Sequence, residues 1–155
     1  MINKYIIFSS IGEGETTLTS FDNALLNLGI ANYNLMKVSS ILPANMTEMS
    51  YVNISEGNVL FTAYAAETVK ELNDLISVAV AVGISENKNE VGVIMEFTGH
   101  CSKEEAELAV KQMVTEAMQT RKSAIKHIFL KSASVRGNGN KYVTAFSAIA
   151  MWEYV

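Results

Sequence analysis

The chain has 155 residues, of which 49% are apolar and 18% charged, and a net charge of −4 at pH 7. That length suits a single domain, residues 1–155, able to bury roughly 70% of the surface its unfolded chain exposes. The acidic balance argues against a duty in nucleic-acid binding. No run reaches the roughly 18 apolar residues of a membrane span, and the start Met1-Ile2-Asn3-Lys4 lacks the plan of a signal peptide. The single cysteine, Cys101, excludes an internal disulfide and suits a reducing cytoplasm.

In chain order, Tyr5-Ile6-Ile7-Phe8 predicts a short buried strand closed by the polar loop Gly12-Glu13-Gly14-Glu15-Thr16. A helix follows, capped at Thr19 or Ser20, with Phe21, Ala24, Leu25 and Leu28 on one face and Gly29 as its stop. Tyr33 to Val38 reads as a strand running straight into Ser39-Ser40, and Val59–Ala66 and Val91–Phe97 as further strands. The stretch Leu72–Ile84 fits either a strand, by its β-branched residues, or a helix face. Ser102-Lys103-Glu104-Glu105 is a capping box that opens a helix whose apolar stripe runs from Ala106 to Met118. Ile125–Val135 and Lys141–Tyr154 read as two long strands around Gly137-Asn138-Gly139-Asn140, a hairpin turn by composition. This order implies an α+β or layered sandwich fold.

Few residues could carry chemistry. Gly12-Glu13-Gly14 is neither a dinucleotide fingerprint nor a P-loop, and His100 and His127 have no metal-ligand spacing with Cys101, so no metal is expected. Cys101 precedes a helix start, where the dipole could lower its pKa, but it reads more readily as an ordinary small residue beside a cap. Glu96 interrupts the run Val91-Gly92-Val93-Ile94-Met95-Glu96-Phe97, where a carboxylate is costly unless paired or protonated; a solvated strand face would also accommodate it. Asp22, in the first turn of its expected helix, suits the dipole there without any functional role.

Ser39-Ser40 is uninformative as a dipeptide, since Ser9-Ser10 is another. In its context, Asn32-Tyr33-Asn34-Leu35-Met36-Lys37-Val38-Ser39-Ser40-Ile41-Leu42-Pro43, it resembles the cleavage segment of the pyruvoyl-dependent arginine decarboxylases, where a strand with Asn-x-Asn leads into Ser-Ser-Ile-(Met/Leu)-Pro. Gly12 to Thr16 is similar to that family's Gly-Glu-Thr loop and Leu18 to Leu26 to its first helix. Ile94-Met95-Glu96-Phe97, with Gly99, Cys101-Ser102-Lys103 and Glu105-Ala106-Glu107 behind it, is similar to the family's catalytic-Glu strand and following helix. The segments Thr47–Tyr51 and Phe61–Ala65 depart from the family's Pro-rich loop and its Pro-Thr-Ala-Tyr-Gly.

The resemblance implies a layered αββα sandwich of the pyruvoyl-dependent histidine/arginine decarboxylase type. It implies self-cleavage between Ser39 and Ser40 into residues 1–39 and 40–155, leaving a covalent pyruvoyl group derived from Ser40. That group would decarboxylate L-arginine to agmatine and CO2 through a Schiff base, as in polyamine synthesis. By resemblance Glu96 is the proton donor, Asn34 the donor to the oxyanion formed during cleavage, and Asp22 the substrate-binding carboxylate. Straight strand would hold Asn34 roughly 20 Å from Ser40, so a bend or a neighbouring subunit must bring it close. The expected partners are a small amino-acid substrate and identical protomers in a homotrimer or dimer of trimers, with no nucleic acid and no membrane. A pyruvoyl decarboxylase of another amino acid, or an unprocessed relative acting as a binding or assembly module, are the alternatives.

Overall fold

The computed structural model describes residues 1–155. In chain order the elements are β1 (Lys4–Gly14), α1 (Thr17–Leu26), β2 (Asn34–Lys37), β3 (Ile41–Leu42), β4 (Thr47–Glu48), β5 (Val59–Val69), β6 (Leu75–Ser85), β7 (Gly92–Gly99), α2 (Lys103–Thr120), β8 (Ile125–Arg136) and β9 (Tyr142–Trp152). They form a five-stranded sheet, β2-β5-β9-β1-β4, and a four-stranded sheet, β3-β7-β6-β8.

Alternation along the strands builds four layers. One face of β9 sends Val143, Ala145, Ile149 and Met151 into clusters shared with Val78, Val80 and Val82 of β6, which closes the sandwich between the sheets. The opposite face sends Phe146, Ala148, Ala150 and Trp152 against Ala24 and Leu25 of α1. Ala79 and Ala81 of β6 and Val93 of β7 pack on Ala106, Val110, Val114 and Met118 of α2. The order of layers is therefore α1, first sheet, second sheet, α2. No helix is long and apolar enough to cross a membrane.

Several expected boundaries move, each for a physical reason. Leu72–Ile84 resolves to the strand β6, with Val78 to Val82 fully buried. It is covered by a sheet on one face and α2 on the other, so it carries no period-two signal. Strand β1 continues through Gly12 and Gly14, paired with β9 along its whole length, so the expected loop is strand. The cause is close approach of α1: a Cβ on Gly12 would lie 2.2 Å from the Ala24 nitrogen and 2.3 Å from the Ser20 oxygen.

Helix α1 begins at Thr17 with Thr16 as its cap, not Thr19 or Ser20. The Thr19 amide donates to the Thr16 hydroxyl and the Thr16 amide to the Thr19 hydroxyl, a reciprocal box that fixes the start. Asp22 consequently lies beyond the first turn, which holds no acidic residue, and the dipole explanation for it is withdrawn. Ser102 caps α2 as expected. The expected hairpin is corrected as well: β8 pairs with β6 and β9 with β1 and β5, so Gly137–Asn140 carries the chain from one sheet to the other.

Candidate active site

The stretch from β2 to β3 is where the chain changes sheets. Strand β2 pairs in parallel with β5, Lys37 opposite Thr62, and the Val38 amide extends that ladder by donating to the Thr62 carbonyl at 3.2 Å. Two residues later the Ser40 carbonyl accepts from the Ile94 amide at 2.8 Å, and Ile41 pairs with Val93. Val38 is thus held to one sheet and Ser40 to the other, with exposed Ser39 between them. The expected strand through Val38 stops at Lys37, because the first sheet ends its hold there and the second begins its own.

Glu96 lies two residues beyond Ile94 on β7, on the same face of the pleat and opposite Val80. Ile94 and Val80 belong to the core between the sheets, so Glu96 points towards that interior at its margin. Its Oε2 is buried and has no hydrogen-bond partner. Burial pushes the carboxyl above the ordinary glutamate range, and the Lys37 ammonium opposes that shift. Lys37, Tyr64, Ala65, Glu96, Phe97 and Thr98 line a cavity of about 230 Å³. It opens where β5 runs on past its pairing with β2 and β7 past its pairing with β3. The Lys37 Nζ sits 4.6 Å from the centroid of the Tyr64 ring. Lys37 and Tyr64 carried no signal in the sequence beyond their closeness to the Ser-Ser pair and to the altered Phe61–Ala65 segment.

The fold brings Ser40 and Glu96 onto neighbouring strands, although Ser40 does not itself line the cavity, and leaves the other two expected residues elsewhere. Asn34 opens β2, exposed, with its Nδ2 donating to the Gly57 carbonyl at 2.8 Å. Asp22 is exposed on α1 and does not line the cavity. Leu18 and Leu26, one helical turn to either side of Asp22, are 75% and 53% exposed. The carboxylate therefore stands in an apolar stripe turned away from its own sheet. Cys101 keeps its expected role as an ordinary residue beside a cap: burial, assisted by Glu105, raises the thiol pKa, so the helix dipole does not make it an activated nucleophile.

A carboxyl group whose pKa is raised by burial, beside a chain crossover, suits proton transfer to a substrate carbon. Comparison with known proteins agrees with that chemistry. Residues 4–155 match the family model described as pyruvoyl-dependent arginine decarboxylase. The curated pyruvoyl-dependent arginine decarboxylase of Pyrococcus abyssi is 42% identical over 97% of this chain and 96% of its own length. The one from Methanocaldococcus jannaschii is 36% identical over 97% and 90%. Among solved structures, a pyruvoyl-dependent histidine decarboxylase at pH 8 superposes with a TM-score of 0.52 at 12% identity, over 66% of this chain and 53% of that one, a likeness of fold alone.

Proposed function

The chain belongs to the pyruvoyl-dependent arginine decarboxylase family, and from that membership we propose that it cleaves itself between Ser39 and Ser40 and converts L-arginine to agmatine and CO2. The observation that carries this reading is the pair formed by Ser40, at the crossover, and Glu96, with a buried and unpartnered carboxyl oxygen two residues along the strand that holds Ser40.

In maturation the Ser40 Oγ attacks the Ser39 carbonyl carbon. The C–N bond breaks as the C–O bond forms, turning the peptide into an ester. Loss of the Ser40 α-proton then expels the Ser39 carboxylate from Cβ, and water replaces the remaining nitrogen, which leaves as ammonia. Anchoring of Val38 and Ser40 to different sheets limits how far the intervening peptide can move away from attack. Asn34, by resemblance, donates to the developing oxyanion. Its amide is engaged with Gly57 in its own protomer, so this role falls to an Asn34 that exchanges that partner or comes from a neighbouring protomer.

The residues around Ser40 suit the pyruvoyl group. The exposed wall of the cavity beside the crossover is mostly polar, and the buried Glu96 Oε2 has no hydrogen-bond partner within the chain. Once formed, the group supplies a carbonyl that takes up the electron pair left when CO2 departs. Glu96 delivers a proton to the α-carbon, a role that a pKa raised by burial favours by keeping the acid form to higher pH. Asp22 receives the guanidinium in a two-pronged, charge-assisted hydrogen bond.

Asp22 reaches a substrate most simply from a neighbouring protomer. Its exposed setting between Leu18 and Leu26 supports a trimer, or a pair of trimers, with sites completed across the interfaces. The lone cysteine fits a cytoplasmic enzyme. Release of labelled CO2 from carboxyl-labelled arginine by the purified chain tests the function. Wild type is expected to release it with agmatine as co-product and Ser40→Ala to release none; no release by cleaved wild type, or preference for an uncharged amino acid, overturns the arginine assignment.

A further inference from the structure

We propose that Lys37 is the positioning residue for the Glu96 proton: its ammonium, seated on the Tyr64 ring, balances the carboxylate left on Glu96 each time that proton goes to substrate. This rests on the reading of Glu96 as proton donor. Lys37 and Glu96 are the only charged side chains lining the cavity, with Tyr64 its only other titratable group. They make no ion pair with each other. That separation matters. A contact pair would hold Glu96 ionised and spoil it as an acid, whereas a cation at a stand-off eases the ionised half of the cycle and leaves the protonated half available. Lys37 is exposed, but the Tyr64 face gives its ammonium a seat, and Tyr64 is itself packed against Phe21 and Phe146.

The other elements around Glu96 offer no second cation in that position. Its partner across β6 is Val80; Lys131 of β8 pairs with Val80 from the other side, two strands from Glu96, and is exposed and outside the cavity. Strand β5 contributes Tyr64 and, further along, Glu67, which is anionic. Just past the end of β7, His100 is tied to Asp74 at 2.8 Å. The crossover itself presents only the hydroxyls of Ser39 and Ser40. Removing Lys37 therefore leaves Glu96 with burial alone acting on it, and the carboxyl titrates higher.

The decisive measurement does not need the processed enzyme. In the uncleaved Ser40→Ala chain, the side-chain carboxyl carbon of Glu96 is titrated by 13C NMR and identified by its loss in Glu96→Gln. Adding Lys37→Met is expected to raise the Glu96 midpoint by at least about half a pH unit, and Lys37→Arg to restore it. In processed protein, Lys37→Met should lower kcat and move the alkaline limb of its pH profile upward, with Lys37→Arg near wild type. An unchanged Glu96 midpoint in Lys37→Met overturns the proposal, as does a pH profile that falls in height without moving. A cleaved Glu96→Gln enzyme with full activity would instead remove the proton-donor reading, an outcome the NMR titration does not share.

Discussion

The Ile94 amide donates to the Ser40 carbonyl at 2.8 Å, while the Val38 amide, two residues earlier, donates to the Thr62 carbonyl of the other sheet at 3.2 Å. The bond between Ser39 and Ser40 is therefore the link by which two separately anchored ladders share one chain. Cutting it leaves β2 in the first sheet and β3 in the second, each with its own hydrogen bonds.

The piece 1–39 is not a tail that can leave. It carries β1, paired with β9 from Lys4 to Gly14, and α1, whose Ala24 and Leu25 are buried against Phe146 and Trp152. The two pieces are expected to co-elute from a sizing column in native buffer and to separate only in denaturant. A native preparation that sheds the small piece would show that β1 does not hold it.

Glu96→Gln is expected to keep self-cleavage and lose about 10²–10⁴-fold in kcat, since an amide does not donate the proton. The wild-type carboxyl titrates above its usual range because burial disfavours its charge. Activity that needs the acid form should therefore persist above the ordinary glutamate range and fall as pH rises through the raised value. Near-normal turnover by a cleaved Glu96→Gln sample would make Glu96 a structural residue.

The same raised value predicts a stability effect of defined sign. A carboxyl whose folded pKa exceeds its unfolded one favours the fold fully below the unfolded pKa and loses that advantage as pH rises through the folded pKa. In the Ser40→Ala background, Glu96→Gln should thus raise Tm at neutral pH relative to Glu96, with the gain shrinking towards acid pH. A Tm difference that grows on acidification would contradict burial as the cause.

Asp22→Asn should leave stability within about 0.5 kcal/mol, because the side chain is exposed and lies beyond the first turn of α1. Its kcat/KM for arginine should fall at least about tenfold, the factor that 1.4 kcal/mol of lost binding to the transition state represents. Unchanged kinetics for arginine would take Asp22 out of the site.

Much of the fold was legible where one face of an element is buried and the other is not. The capping box at Ser102 and the stripe from Ala106 to Met118 gave α2 directly, and Ser102 is its cap. Strand β6 was ambiguous because burial on both faces erases the alternation that marks a strand. The Gly137–Asn140 turn carried hairpin composition, yet local turn chemistry does not say which sheet the next strand joins. In the site, Glu96 stood out because a carboxylate in an apolar run is costly, and its Oε2 is indeed buried without a partner. Lys37 stayed hidden: a lysine two residues before a serine pair has no signature until Tyr64 is folded beneath it.

Intact mass measured under denaturing conditions tests the self-cleavage most directly. Wild-type protein is expected to resolve into two species, residues 1–39 and residues 40–155, the larger without a free α-amine and lighter than the plain peptide by the conversion of its first residue. Ser40→Ala should run as one species of 155 residues. Wild type that stays a single full-length chain after prolonged incubation, or that splits at any other bond, would contradict the reading of Ser39-Ser40.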